Sequence, residues 1–243
     1  MTSDRFELPI DSGTVARFVG VATFMRAPLI EDLARVDVGL VGVPFDLGLA
    51  YRPGSRHGPA QVREASRLIR RINPTTGVFP FELCQVADVG DVVTHPLDLL
   101  ASIDAIAAFF RRLREHDVRP VAMGGDHAIT LPILRRLFAG TPFGVVQIDS
   151  HADTLDEFYG IRINHATSFR RATEEGLIDP ARVVQVGLRG TQWGRDDIAF
   201  SLASGCPLGD ALHHLRRVRG DRPRQRHRRD HARRRRRSDL RQL

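Results

Sequence analysis

Short valine-rich apolar runs recur along most of this chain, and segments with helical periodicity separate them. The runs fall at 36–45 (V-D-V-G-L-V-G-V-P-F), 83–89, 120–123, 143–148 and 183–186, each bounded by Gly, Pro or Asp. Runs of this length and composition read as buried strands. Between them, 59–72 opens with a proline suited to a first helical turn. The stretch 97–115 sets Leu100, Ile103, Ile106, Ala107, Phe110 and Leu113 at helical spacing, and 131–138, 168–176 and 196–204 are shorter helix candidates. Strands that are apolar on both faces and alternate with helices bury themselves as a parallel sheet covered on both sides. The expected fold class is therefore α/β: a three-layer α/β/α domain around a mostly parallel sheet.

The pattern stops after Gly205. Residues 206–243 carry 14 Arg against four acidic residues, whereas residues 1–205 carry 22 Arg against 25 acidic residues. The formal charge of +7 thus belongs to the tail, and the body is mildly acidic. With Val218 as its one β-branched aliphatic residue and an unbroken run from Arg233 to Arg237, the tail has no stripe to bury and is expected to be disordered. Two regions follow: a metal-binding domain over 1–205 and an Arg-rich tail over 206–243. The tail has no Phe, Tyr or Trp for base stacking and no nucleic-acid-binding motif, so nucleic acid is not the expected partner. No run of 18 apolar residues exists, so no membrane span is expected. The first ten residues, with Asp4, Arg5 and Glu7, do not read as a secretory signal. Cys84 and Cys206 stand far apart, which suits a reducing cytoplasm.

In sheets of this kind, ligands bind beyond the carboxyl ends of the strands. Polar residues gather there. Asp46 and the Gly/Pro-rich loop 52–59 follow the first run, Gly124-Gly125-Asp126-His127 ends the third, and Asp149-Ser150-His151-Ala152-Asp153 ends the fourth. In an extended Asp-x-His-x-Asp, alternate side chains project to one side and can converge. Imidazole and carboxylate together suit Mn²⁺, Co²⁺ or Zn²⁺. A pair of such ions ~3.5–4 Å apart activates water as a nucleophile. Taken singly, a histidine after a strand is more often structural, and an aspartate there is more often a turn or helix cap. The two segments together point to metal binding.

G-G-D-H followed by D-x-H-x-D resembles the ureohydrolase family of arginases and agmatinases, and its agmatinase-type members most. G-V-P-F-D (42–46), R-P-G-S-R-H-G-P (52–59), N-H-A-T-S-F-R-R (164–171), G-L-I-D-P (176–180) and Q-V-G-L-R (185–189) extend the likeness over about residues 18 to 205. The resemblance implies an arginase-like fold, two Mn²⁺ ions, and hydrolysis of a small guanidino compound to urea and an amine. It implies that His127 and Asp153 hold one ion, that His151 holds the other, and that Asp149 contributes to both. Asp153 would also orient the attacking hydroxide, and His165 would pass a proton to the departing amine. Asp126 is expected to bond backbone rather than an ion. Agmatine is the favoured substrate, with Asp156 and Glu157 available for its distal ammonium. Guanidinobutyrate is the alternative, with Arg162 for a carboxylate. The family commonly forms trimers or hexamers, which leaves a homo-oligomer open. A metal-dependent deacetylase on a related fold fits the paired motifs less well.

The chain departs from the family beyond Gly205. A later Asp-x-Asp metal motif and a substrate-binding Glu are expected there, and residues 206–243 contain neither. A frameshifted or damaged gene end is the simplest reading, and a true basic tail is the alternative. The C-terminal strands of the sheet would then be missing, leaving an exposed edge. Weak or absent double-metal occupancy is expected, with low activity or a non-catalytic remnant as the result.

Overall fold

The computed structural model describes residues 6–138, 140–191, 193–194 and 198–205; the expectations for 206–243 and for the start of the 196–204 helix lie outside the described residues. In chain order the main elements are β1 (Val38–Val43), α1 (Gly58–Ser66), β2 (Val86–Asp91), α2 (Leu99–Glu115), β3 (Arg119–Gly124), α3 (Thr130–Leu137), β4 (Phe143–Ile148), α4 (Ser168–Glu174), β5 (Ile178–Val186) and α5 (Ala199–Ala203).

β1 lies at the centre of a parallel sheet ordered β2-β1-β3. Its sequence V-G-L-V-G-V is apolar on both faces, and both faces are covered. Val41, Val43 and Phe45 meet Ile103, Ile106, Phe110 and Leu113 of α2 in one core cluster. Leu40 points the other way, towards Phe24, Phe79, Phe81 and Val86. At about 1.5–3 kcal/mol for each large apolar side chain buried, the α2 stripe outweighs the roughly 1 kcal/mol from its N-terminal cap. In that cap, the Asp98 side chain accepts from the Ala101 backbone N–H. Packing therefore holds α2 in place more than capping does.

β4 and β5 form a second parallel sheet. Its core comprises Leu131 of α3, Phe169 and Ala172 of α4, and Leu177, Ile178 and Val183. The two halves are joined where α2 packs on α3 and where Arg114 Nη1 donates to Phe138 O at 2.6 Å.

Parallel strands alternating with helices are as expected, and the structure shows an α/β domain. The strands do not form one continuous sheet, however. Among the described residues β3 and β4 are not hydrogen-bonded to each other, so the two polar motifs stand on the tips of two separate sheets rather than on adjacent strands. Among the described residues β2, β3, β4 and β5 are all edge strands, and on β4 Val146 and Ile148 are 69% and 81% exposed.

Three element boundaries also differ. The helix expected over 59–72 stops at Ser66, because Leu68, Ile69 and Ile72 are exposed and offer no stripe to bury. β2 begins later than the run at 83, because Pro80–Glu82 forms a 3-10 turn that buries Phe81. β5 begins five residues before the run at 183. The register shift opposite Phe143 and Val145 accommodates the extra residues, Pro180 among them. Among the described residues no helix is long and apolar enough to cross a membrane.

Candidate metal centre

The end of β3 is shaped by a close backbone approach. Gly125 has φ +27°, and a Cβ there would lie 2.4 Å from Phe45 O and 2.6 Å from Val43 O. Only glycine lets the chain pass this close to the β1 tip. The next residue, Asp126, is buried and bonds backbone as expected. Its carboxylate accepts from Ala128 N–H at 2.7 Å, capping a 3-10 turn, and from Gly48 N–H at 2.8 Å, tying this loop to the one after β1. Burial pushes the Asp126 carboxyl above its ordinary range, and the two backbone N–H groups only partly offset that. His127 begins the 3-10 turn and is aimed towards β4.

On the β4 side the backbone is not extended. The Asp149 carboxylate accepts the His151 backbone N–H at 3.0 Å, an Asx-type turn that rotates His151 outwards. Asp153 is then brought inwards in a left-handed conformation, φ +53°. Its side chain is only 8% exposed. Aspartate tolerates this conformation better than most residues, and the cost of order 1–3 kcal/mol is borne where the surrounding structure fixes it. Two buried glutamines do part of that fixing. Gln147 and Gln185 are register partners on β4 and β5, and Gln185 Nε2 donates to Gln147 Oε1 at 2.6 Å and to Ala152 O at 2.9 Å. Gln147 Nε2 donates to His151 O at 3.0 Å.

The result is a three-residue cluster. One ligand atom from each of His127, Asp149 and Asp153 lies within 4.8 Å of the other two. His127 Nδ1 is 2.5 Å from Asp153 Oδ2 and 3.4 Å from Asp149 Oδ2. Burial disfavours the His127 imidazolium, yet the Asp153 hydrogen bond and the charges of Asp153, Asp149 and Asp126 outweigh it and hold its pKa above the ordinary value. Phe169 packs edge-on against the ring, with centroids 5.4 Å apart, and Ser168 Oγ donates to His127 O at 3.1 Å. The start of α4 thus fixes the imidazole's position. A cleft of about 420 Å³ opens beside the cluster, lined by Gly124, Thr130, Val146, Ile148 and Phe169 among others.

Of the residues singled out from the sequence, the structure brings His127, Asp149 and Asp153 together. His151 does not join them; its side chain is 74% exposed and stands 3.7 Å from Asp149 Oδ1. The convergence expected of Asp-x-His-x-Asp presumed an extended backbone, and the turn at Asp149 prevents it. His165 lies on the loop before α4, where its Nδ1–H donates to Gly48 O at 2.6 Å and Phe158 packs edge-on to its ring at 5.7 Å. That bond leaves Nε2 as the free nitrogen. Asp156 is already occupied. Arg171 donates to it at 2.6 Å and Arg162 at 3.2 Å, and the Arg171 bond, with Arg170 and Arg162 nearby, keeps its carboxyl low. It does not stand as a free anion for an ammonium group. Sequence reasoning missed Gln147, Gln185 and Gly48. The two glutamines could have been found as polar interruptions of otherwise apolar strands.

One imidazole and two carboxylates fit a borderline divalent ion with at least one coordination position left open. The sequence profile of the arginase family matches residues 36–208, most of the chain and all of this cluster. The chain belongs to the arginase family. It is 44% identical over 198 residues to a guanidinopropionase of Pseudomonas aeruginosa, covering 81% of this chain and 62% of that protein. It is 42% identical over 204 residues to a mitochondrial agmatinase of Gallus gallus, covering 84% of this chain and 60% of that protein. Among solved structures, the proclavaminate amidino hydrolase of Streptomyces clavuligerus superposes with a TM-score of 0.77 at 35% identity, covering 83% of this chain and 67% of that one. This arginase-family chain therefore spans about three-fifths of the length of the curated relatives it matches.

Proposed function

We propose that the chain carries the metal-assisted amidinohydrolase chemistry of its family, releasing urea from a small linear guanidino compound. The convergence of His127, Asp149 and Asp153, beside a cleft that His127 and Asp149 line, carries this reading. Relatives named for guanidinopropionate, guanidinobutyrate and agmatine hydrolysis support the substrate class.

A guanidinium carbon is a poor electrophile because resonance spreads its charge. A divalent ion, Mn²⁺ by family resemblance, would supply Lewis-acid polarisation and a potent nucleophile at neutral pH. Neutral His127 and the carboxylates of Asp149 and Asp153 would hold it, and Asp149 with His151 is the natural place for a second ion. Water adds to the guanidinium carbon, the bond from that carbon to the alkyl-bearing nitrogen breaks, and a proton reaches that nitrogen as urea leaves. His165 is suited to move the proton. Its Nδ1–H is held by Gly48 O, which fixes the tautomer and leaves Nε2 to accept and donate. Phe169 and Phe158 restrict the rings of His127 and His165. A cytoplasmic setting belongs to the same proposal and suits the unpaired thiol of Cys84.

Agmatine is the substrate first suggested by the sequence. A guanidino acid is a second reading that one observation favours. Arg162, Arg170 and Arg171 gather around Asp156 and Glu174, three positive charges against two negative, which suits a substrate carboxylate better than an ammonium. The test has two parts. Metal analysis after dialysis against Mn²⁺ should find one tightly held ion per chain, lost in Asp149→Ala. Urea release should be compared for agmatine, 3-guanidinopropionate, 4-guanidinobutyrate and arginine, each with added Mn²⁺. The activity expected of the chain is low, because among the described residues a second ion has few carboxylates. No ion above the Asp149→Ala background, together with no urea from any of the four, refutes the proposal.

A further inference from the structure

None of the three clustered ligands comes from β5, yet one β5 side chain reaches the backbone that carries Asp153. Gln185 is 1% exposed and stands in the strand end V-V-Q-V. Burying an amide there is unfavourable unless its polar atoms are paired. Its partners fix its orientation. A backbone carbonyl can only accept, so the Gln185 atom 2.9 Å from Ala152 O is the NH2 group. The same NH2 lies 2.6 Å from the Gln147 side chain, which must therefore present its oxygen. That turns the Gln147 NH2 towards His151 O, to which it donates at 3.0 Å. One carbonyl thus sets the direction of both amides.

Asp153 sits at φ +53°, a conformation that a residue with a Cβ rarely adopts. Peptide units are planar, so φ and ψ of a residue follow from the orientation of the plane before it and the plane after it. The plane before Asp153 carries the Ala152 carbonyl, which Gln185 holds from β5. The plane after it carries the Asp153 carbonyl, which accepts from Phe169 N–H of α4 at 3.2 Å. One unit earlier, Gln147 of β4 holds the His151 carbonyl. Three successive carbonyls are therefore pinned from three elements, and with them the direction in which the Asp153 carboxylate leaves the chain. That carboxylate lies 2.5 Å from His127 Nδ1, so a turn of either flanking plane would open the cluster.

We infer that Gln185 is a positioning residue for metal uptake: it holds Ala152 O, with Gln147 as its orienting partner, and so keeps Asp153 in the left-handed conformation that presents its carboxylate to an ion. Gln185→Met fills nearly the same space but donates nothing, so the Ala152 plane loses its anchor and Asp153 relaxes towards negative φ. Metal affinity as a readout rests on the proposed metal centre. Amide exchange in the metal-free chain does not, and it separates the two.

The test compares the full chain with Gln185→Met and with Val183→Ala, a core substitution on the same strand. Val183 is 2% exposed, so its truncation should lower the melting temperature, but the site should keep its shape. Calorimetric titration with Mn²⁺ should show at least tenfold weaker binding for Gln185→Met and a value within twofold of the parent for Val183→Ala. In the metal-free chain, the Phe169 amide reports whether Asp153 O is in place. Relative to the Phe110 amide of α2, it should exchange at least tenfold faster in Gln185→Met than in the parent. Should Gln185→Met fail to fold, Gln147→Met removes the His151 bond and the orienting oxygen, and should speed Phe169 exchange at least threefold. Equal Mn²⁺ affinity in parent and Gln185→Met would overturn the inference, as would an equal loss of affinity in Val183→Ala, which would show general loosening. If the parent takes up no Mn²⁺, the proposed function fails and exchange alone decides: unchanged Phe169 exchange in the glutamine variant overturns the role of Gln185, and faster exchange upholds its hold on Asp153.

Discussion

Gly125→Ala tests how closely the metal centre depends on the approach of the β3 loop to the β1 tip. The added methyl would lie 2.4 Å from Phe45 O and 2.6 Å from Val43 O, and both are backbone atoms of the central strand and its exit. Neither can rotate away as a side chain would. Reaching even the shortest tolerable contact of 3.0 Å requires the loop to retreat by roughly 0.6 Å. The left-handed backbone at φ +27° adds strain for any residue with a Cβ. Overpacking of about 1–3 kcal/mol plus about 1 kcal/mol of backbone strain gives a loss of roughly 2–4 kcal/mol. At about 2–4 °C per kcal/mol for a domain of this size, melting should fall by roughly 4–16 °C. His127 lies two residues on and would move with the loop, lengthening its 2.5 Å contact with Asp153. Calorimetric melting and Mn²⁺ titration of the two proteins measure both effects. A variant that melts within a degree of the parent and binds Mn²⁺ equally well would show that the close approach does not set the geometry.

Metal uptake at or below the ordinary histidine value of pH 6.5 should release a proton, because His127 must give up one that its neighbours help it to keep. Calorimetric titrations in buffers of different ionisation enthalpy measure this, and identical heats in all buffers would contradict it. In the metal-free chain, the raised His127 pKa means that its pairing with Asp153 stabilises fully below the ordinary histidine value of 6.5 and fades as pH rises through the folded value. The stability gap between parent and Asp153→Asn should therefore narrow with rising pH, and a gap that widens refutes the sign. Asp46 is buried, and its pKa is lowered chiefly by the Arg56 side chain, with the Gly54 and Arg56 N–H groups adding to the effect. Asp46→Ala should cost about 1.5–3 kcal/mol in urea unfolding at pH 7. That difference is present above 3.8 and shrinks as pH falls through the lowered folded value; a pH-independent difference would be inconsistent with the pairing.

Much of this was legible in the sequence because burial leaves a mark on composition. Val41, Val43 and Leu40 are apolar because both faces of β1 are covered, and the α2 stripe from Ile103 to Leu113 shows the helical period directly. His127, Asp149 and Asp153 could be named because His and Asp side chains follow two Val-rich strands whose tips meet. The turn at Asp149 was not legible. Asp-Ser-His is compatible with an extended backbone, and only the Asp149-to-His151 hydrogen bond decides that His151 turns outwards. The division into two sheets was hidden as well, since β4 has the composition of an internal strand whether or not a neighbour is present. The neutralisation of Asp156 depends on Arg171 approaching from α4, a tertiary contact that residue order does not encode.

The central claim is that groups from two separate sheet tips meet around one cation. Crystals of the chain grown with Mn²⁺ and measured at the manganese absorption edge test it most directly. The expected map has an anomalous peak within about 2.0–2.3 Å of a His127 ring nitrogen and of carboxylate oxygens from Asp149 and Asp153. An ordered His127 with no peak beside it, or a peak held by other residues, would contradict the account.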